Sequence, residues 1–218
     1  MTIQLSIPDF ATARRTMIES QLRPEGVTDA GVLEAMATIP REQFVPEPSQ
    51  QLAYGDRSLA LGGGRFLAAP AVLGKLLTEL APVAGERALV IGGGTGYSAA
   101  VLSAMGCDVI VLENVAELGA RARKLGVTVV EGGLAKGHAA GAPYDLILID
   151  GAVEFLPDAI VDQMVDGGRL GTALIDRGLT RLIVGQKVAG AFGFLSIADA
   201  GVAPLPGFAR SRPFTFER

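Results

Sequence analysis

The stretch ALVIGGGTGYSAAVL, residues 88–102, decides the fold. Its first four residues form a short apolar run, the pattern of a strand buried on both faces. Gly92, Gly93, Gly94 and Gly96 follow, and GYSAAVLSAM reads as a helix. A strand that turns through glycines into a helix brings bare backbone close to a ligand. The missing Cβ atoms allow the approach, and free amides at the helix start face an anionic group. The bland reading is a tight turn without a ligand, but such turns rarely need four glycines.

Two cofactor types use this turn: a dinucleotide, or S-adenosylmethionine with its polar tail. A dinucleotide fingerprint is G-x-G-x-x-G. Counted from Gly92, its last glycine falls on Tyr97; counted from Gly93, its second falls on Thr95. The spacing fits G-x-G-x-G, the methyltransferase form. An adenosine ribose is best held by a carboxylate at the end of the next strand, about 20 residues on. Glu113, closing DVIVLE, stands there, with a surface residue beside the next helix as the bland reading. Asp150 closes LILID in the same crevice and either touches ligand or caps the following turn.

Outward from this unit, helix and strand alternate. AVLGKLLTEL reads as an amphipathic helix before the glycine turn. After it come the strand DVIVLE, the helix AELGARARKL, the strands VTVVE and YDLILID, the helix FLPDAIVDQMV and the strand RLGTALI. Such alternation predicts a mostly parallel sheet covered on both faces. TRLIVGQKV and FGFLSIADA have no helix between them and predict an antiparallel hairpin around Gly190 at one edge. The expectation is the α/β class I methyltransferase fold, Rossmann-like, with a seven-stranded sheet. The tail GFARSRPFTFER, with Phe214 and Phe216 alternating, suits an added edge strand.

Upstream, FATARRTMIESQL places Ala13, Met17 and Leu22 on one helical face. Thr28 is an expected N-cap for DAGVLEAMATI, with Val32, Leu33, Met36 and Ile39 as the apolar side and Pro40 as the stop. FVPEPSQQLAYGDRSLAL reads as irregular with short helical pieces. Residues 1–75 are thus expected to form a helical extension and substrate loop. Residues 76–218 form the cofactor-binding unit with its C-terminal hairpin.

Composition narrows the function. The chain has 218 residues, 49% of them hydrophobic and 19% charged, enough for a sizeable core. Its net charge of −4 and lack of a basic cluster argue against nucleic acid as a partner. One cysteine, Cys107, fits a reducing compartment, and packing is its expected role. One histidine, His138, fits a solvated loop and cannot join it in a typical zinc site. No secretory signal or membrane-length apolar run is apparent. A cytoplasmic monomer is expected, without membrane or metal.

The N-terminal third carries a resemblance. MIESQLRPEGVTDAGVLEAMATIPREQFVP, then LAYGD, is similar to protein-L-isoaspartate O-methyltransferases, which read M-V-x-Q-L, G-I-x-D-x-x-V-L-x-A-M, V-P-R-E-x-F-V-P and A-Y-x-D. The match continues through GYSAAVL, PYDLILI and GGRL. It implies methyl transfer from S-adenosylmethionine to the isoaspartyl carboxylate of damaged proteins. It implies cofactor contacts at Gly92, Gly94, Gly96, Tyr97, Glu113, Gly133, Leu134 and Asp150. The chemistry needs no general base, because a carboxylate is already ionised at neutral pH. The protein aligns the reactants and excludes water.

Three departures stand out. LGGGRFLAAP, residues 61–70, replaces the family's I-G-x-G-Q-T-I-S-Q-P. Arg65 therefore holds the glutamine position, and Phe66 and Ala68 the threonine and serine positions of the methyl-transfer site. Val90 stands where the family has an acid before the first glycine. Gly132-Gly133-Leu134 replaces its G-D-G, removing the aspartate expected on the adenine amino group. A buried charge-assisted hydrogen bond contributes about 1.5–3 kcal/mol. Losing two implies cofactor binding weaker by a factor on the order of 10² or more.

Three readings stay open. Arg65 replaces the hydroxyls as a bidentate carboxylate anchor. Or the chain is a degenerate member, binding S-adenosylmethionine weakly or not at all and acting as a binding or regulatory protein. Or it methylates a different substrate, such as a small apolar molecule against Phe66.

Overall fold

A computed structural model describes residues 9–210. The proposed edge strand at Phe214 and Phe216 lies outside them. The chain opens with α1 (Phe10–Met17), which passes into a π-helical turn at Ile18–Leu22. Met17 and Leu22 are buried and Ala13 is half-buried, as their shared face predicts. α2 (Ala30–Thr38) starts one residue later than expected. Asp29, not Thr28, caps it, its carboxylate accepting from the Val32 amide at 2.8 Å. Two 3₁₀ turns follow, Arg41–Phe44 and Glu47–Leu52.

The Glu47–Leu52 turn is one of the short helical pieces expected there, but the end of that stretch forms β1 (Leu59–Gly62), which pairs with β2 (Arg65–Leu67) beyond it in a small antiparallel hairpin. Its residues alternate strictly. Leu59, Leu61, Arg65 and Leu67 face inward, whereas Ala60, Gly62 and Phe66 face out. Both strands are too short for periodicity to stand out against the glycines between them. Gly62, Gly63 and Gly64 all have positive φ at the tip.

α3 (Pro70–Leu80) leads to β3 (Arg87–Ile91), the glycine turn and α4 (Tyr97–Ala104). β4 (Asp108–Glu113), α5 (Ala116–Lys124), β5 (Val129–Glu131) and β6 (Tyr144–Val153) continue the alternation. The helix expected over 155–165 shrinks to one turn, α6 (Asp158–Val161), and β7 already starts at Met164 and runs to Asp176. β8 (Leu179–Val188) and β9 (Ala191–Asp199) form the terminal hairpin, turning at Ala189-Gly190, both with positive φ.

The seven strands β3–β9 form one sheet in the order β5-β4-β3-β6-β7-β8-β9. β3 through β7 pair in parallel; β8 and β9 add antiparallel. The chain winds outward in both directions from β3 and β6. Ligands in open α/β sheets bind at such a switch point, outside the strands' carboxyl ends. Here those ends present Gly92, Glu113 and Asp150.

The N-terminal region is not a separate layer. Met17, Leu22, Val27, Val32, Leu33 and Met36 share one apolar cluster with Leu73, Leu77, Val101 and Leu102 beside the sheet. A Cβ on Gly74 of α3 would sit 2.7 Å from Val27, so helix and extension meet at backbone distance.

Candidate cofactor crevice

The glycine turn forms as its residues dictate. Gly92, Gly94 and Gly96 have φ of 72°, 56° and 92°, conformations that L side chains seldom adopt. Space is short as well. A Cβ on Gly96 would lie 2.9 Å from Val127 and 3.3 Å from Ala122, so this glycine lets α4 lie close to α5 and the loop after it. Tyr97 is buried, with its ring edge-on to Phe44 and the Arg41 guanidinium 4.8 Å from its centroid.

Glu113 does lie beside the turn, but its carboxylate is fully engaged. Oε1 accepts from the amides of Asn114 and Val115 at 2.8 and 2.9 Å, and Oε2 from the Gly94 amide at 2.9 Å. Arg65 completes the set, its Nε 3.2 Å from both oxygens and its Nη2 3.1 Å from Oε1. Nη2 also donates to the Asn114 side chain. A carboxylate offers about four lone-pair directions, so none is left for a ribose. Both side chains are buried, with exposures of 2% and 0%. Arg65 thus faces inward onto Glu113 from the underside of the β1–β2 hairpin. In this arrangement it is engaged by Glu113 and is not the free carboxylate anchor expected from the sequence.

Apolar side chains occupy the space above the glycines. A Cβ on Gly92 would stand 2.7 Å from Leu205, and one on Gly151 would stand 2.8 Å from it. Leu61 of β1 covers Gly94 equally closely, at 2.8 Å. The hairpin tip fastens this cover, Gly63 lying against Val115 and Gly64 against Pro206. Two small voids, of about 10 and 20 Å³, lie around Asp150, Ala68 and Gly151. The first is at the limit for one water molecule. Pockets that take a ligand of cofactor size measure about 300–1,000 Å³. A hollow of about 520 Å³ lies between α1 and α2, away from the strand ends.

The other expected site residues separate into near and far. Asp150 stands at the crevice, half-buried, accepting from Ser98 Oγ at 2.6 Å. Burial is the main cause that pushes its carboxyl up to about 6; the Ser98 bond and the Arg41 charge oppose the rise. Ala68 borders both voids beside Asp150, and Phe66, 43% exposed on the outer face of the hairpin, lines the first of them. Leu134 is buried in the core under the sheet, and Gly133 precedes it on the loop after β5. Val90 is fully buried against Gly93.

Arg41 was not among the expected site residues. Although its exposure is 1%, it has no carboxylate partner among the described residues. It donates to the carbonyls of Ala53, at 2.7 Å, and Ala68. It thereby ties the extension to the segment beside the crevice. The signal was present as the arginine of IPREQFVP. The cover supplied by Leu61 and Leu205 had no such signal. Cys107 is packed, and burial raises its thiol to about 11. His138 sits half-buried on a loop, and its amide donates to Gln163. Among the described residues there is no His, Cys, Asp and Glu cluster for a metal, and no helix long and apolar enough to cross a membrane.

The sheet order, the crossing point and the glycine turn define the class I S-adenosylmethionine-dependent methyltransferase fold. Residues 13–189 match the sequence profile described as Protein-L-isoaspartate(D-aspartate) O-methyltransferase (PCMT), and the chain belongs to that family. It is similar to the protein-L-isoaspartate O-methyltransferase of Koribacter versatilis, 36% identical over 214 residues and covering 95% of this chain and 96% of that one. The Methylorubrum extorquens protein of the same name is 42% identical over 171 residues, 75% of each chain. A solved protein-L-isoaspartate O-methyltransferase superposes with a TM-score of 0.78 at 23% identity, over 89% of this chain and 67% of that one. The Plasmodium falciparum structure, in complex with S-adenosyl-L-homocysteine, gives 0.77 at 20% identity, over 89% and 98%. These two support the fold.

Proposed function

We propose that the protein is a methyltransferase that uses S-adenosylmethionine to methylate isoaspartyl carboxylates in damaged proteins. The observation that carries this is the family match across residues 13–189, with the glycine turn, Glu113 and Asp150 gathered at the carboxyl ends of β3, β4 and β6. The cofactor supplies an electrophilic methyl group, and an isoaspartyl carboxylate is ionised without help. The contribution asked of this chain is therefore alignment and exclusion of water. We place the activity in the cytoplasm, in a monomer acting on protein or peptide, with no nucleic-acid or membrane partner.

As arranged here, the crevice does not fit the cofactor: Glu113 is saturated, and Leu61 and Leu205 fill the cradle. The residues the resemblance offers for binding, Gly92, Gly94, Gly96, Tyr97, Glu113, Gly133, Leu134 and Asp150, can serve only after the cover withdraws. The same observation favours a second reading, a member that has given up the cofactor and acts by binding. Incubation with methyl-labelled S-adenosylmethionine and an isoaspartyl peptide tests the first. Label is expected in that peptide and not in its aspartyl isomer. Cofactor binding without label transfer would point to another substrate, and no binding at millimolar cofactor to the second reading.

A further inference from the structure

We propose that Arg65 is an internal occupant of the adenosyl subsite, and that the β1–β2 hairpin with Leu205 is an autoinhibitory clasp that must lift before the cofactor enters. The location of the subsite rests on the function proposed above; the clasp rests on this chain's own contacts.

The first observation is competition for one carboxylate. A ribose diol donates hydrogen bonds to a carboxylate at the end of the second strand. In this chain Arg65 makes three contacts with the Glu113 carboxylate, at 3.1–3.2 Å. The second is steric. Leu205 lies where Gly92 and Gly151 leave room, and Leu61 lies over Gly94, so glycines that would admit a ligand admit leucines instead. The third is that the closure is constructed rather than a loose collapse. Three consecutive glycines with positive φ form the tip, which seats on Val115 and Pro206.

The hairpin half of the clasp is releasable; at Leu205, whose amide is held 2.7 Å from the Ala152 carbonyl of β6, only the side chain has to move. The hairpin is a separate two-stranded sheet with no backbone ladder to the seven-stranded one. Two strands alone are marginally stable, so its position depends on the inward side chains Leu59, Leu61, Arg65 and Leu67. Its outer face, with Phe66, meets solvent. Arg65 Nη1 is buried without a hydrogen-bond partner. Withdrawal would let water satisfy that donor, which offsets part of the loss of Glu113. If the open form is a minor population, apparent cofactor affinity falls by its fraction, and weakening the closed form restores it.

The test is calorimetric titration of S-adenosylhomocysteine into the full chain and its Arg65→Ser and Leu205→Ala variants, with circular dichroism confirming that each is folded. Leu205→Ala weakens the clasp without touching the ion pair, so it answers the question even where Arg65→Ser fails to fold. The expected result is affinity at least about tenfold tighter in each variant than in the wild type. For Arg65→Ser the gain should vanish with a 2′,3′-dideoxy analogue, which has no diol for Glu113; for Leu205→Ala it should persist. Equal or weaker affinity in the variants, or no binding by any of them, would overturn the clasp. Tight binding in the variants without methyl transfer to an isoaspartyl peptide would overturn the function instead and leave the clasp standing.

Discussion

Asp150 is the residue whose titration reports on the closed crevice. Its carboxyl is pushed from about 3.8 up to about 6, first by burial. The sign follows from linkage. Below pH 4 folded and unfolded chains both hold the proton. Between pH 4 and 6 the unfolded chain releases it first, so stability falls as pH rises, and above pH 6 the full cost is present. Asp150→Asn keeps an acceptor for Ser98 and removes the charge. It should leave the urea midpoint at pH 4 nearly unchanged and raise stability at pH 7 by up to about 3 kcal/mol, less where water reaches the half-buried group. Equal effects at both pH values would contradict this account. Asp150 was legible from its place at the end of LILID. The environment that shifts it was not, because the segments that bury it, and Arg41 and Ser98 that oppose the rise, come from distant parts of the chain.

At the scale of elements, the glycine turn illustrates how close packing and backbone conformation reinforce one another. Gly96 has φ of 92°, and any Cβ would meet Val127 at 2.9 Å. Gly96→Ala should destabilise the fold by about 2–4 kcal/mol, combining αL strain with overpacking, read as a lowered midpoint in urea. An unchanged midpoint would mean that α4 is free to shift. The parallel strands were legible because buried runs between helices leave a repeating pattern. Two elements resisted reading for opposite reasons. The helix over 155–165 had the right composition, but Pro157 delays its start to Asp158, and the pull of β7 into the sheet at Met164 ends it early. The β1–β2 hairpin had too few residues to show a period, and its polar inward residue, Arg65, broke the apolar alternation that marks a strand.

Across the whole molecule, the extension and the sheet share a core, so they should unfold together. Urea denaturation followed by far-ultraviolet circular dichroism and by tyrosine emission is expected to give one coincident transition. Deletion of residues 1–57 would expose Leu73, Leu77, Val101 and Leu102, which pack against Met17, Val27, Val32 and Met36. That fragment should not fold; a soluble product with native-like dichroism would show that residues 58–218 are independent of the helices before them. The sequence by itself determined the α/β alternation, the terminal hairpin, the ligand-type glycine turn, the acid at the end of β4 and the family. Each is written in local spacing, in residues whose chemistry acts within a few positions of themselves. Only the tertiary structure decided the state of the crevice. Arg65 finds Glu113 48 positions along the chain, and Leu205 reaches back over Gly92 from beyond the last strand. Contacts between such distant segments depend on how the finished layers fold against one another, and no periodicity records that.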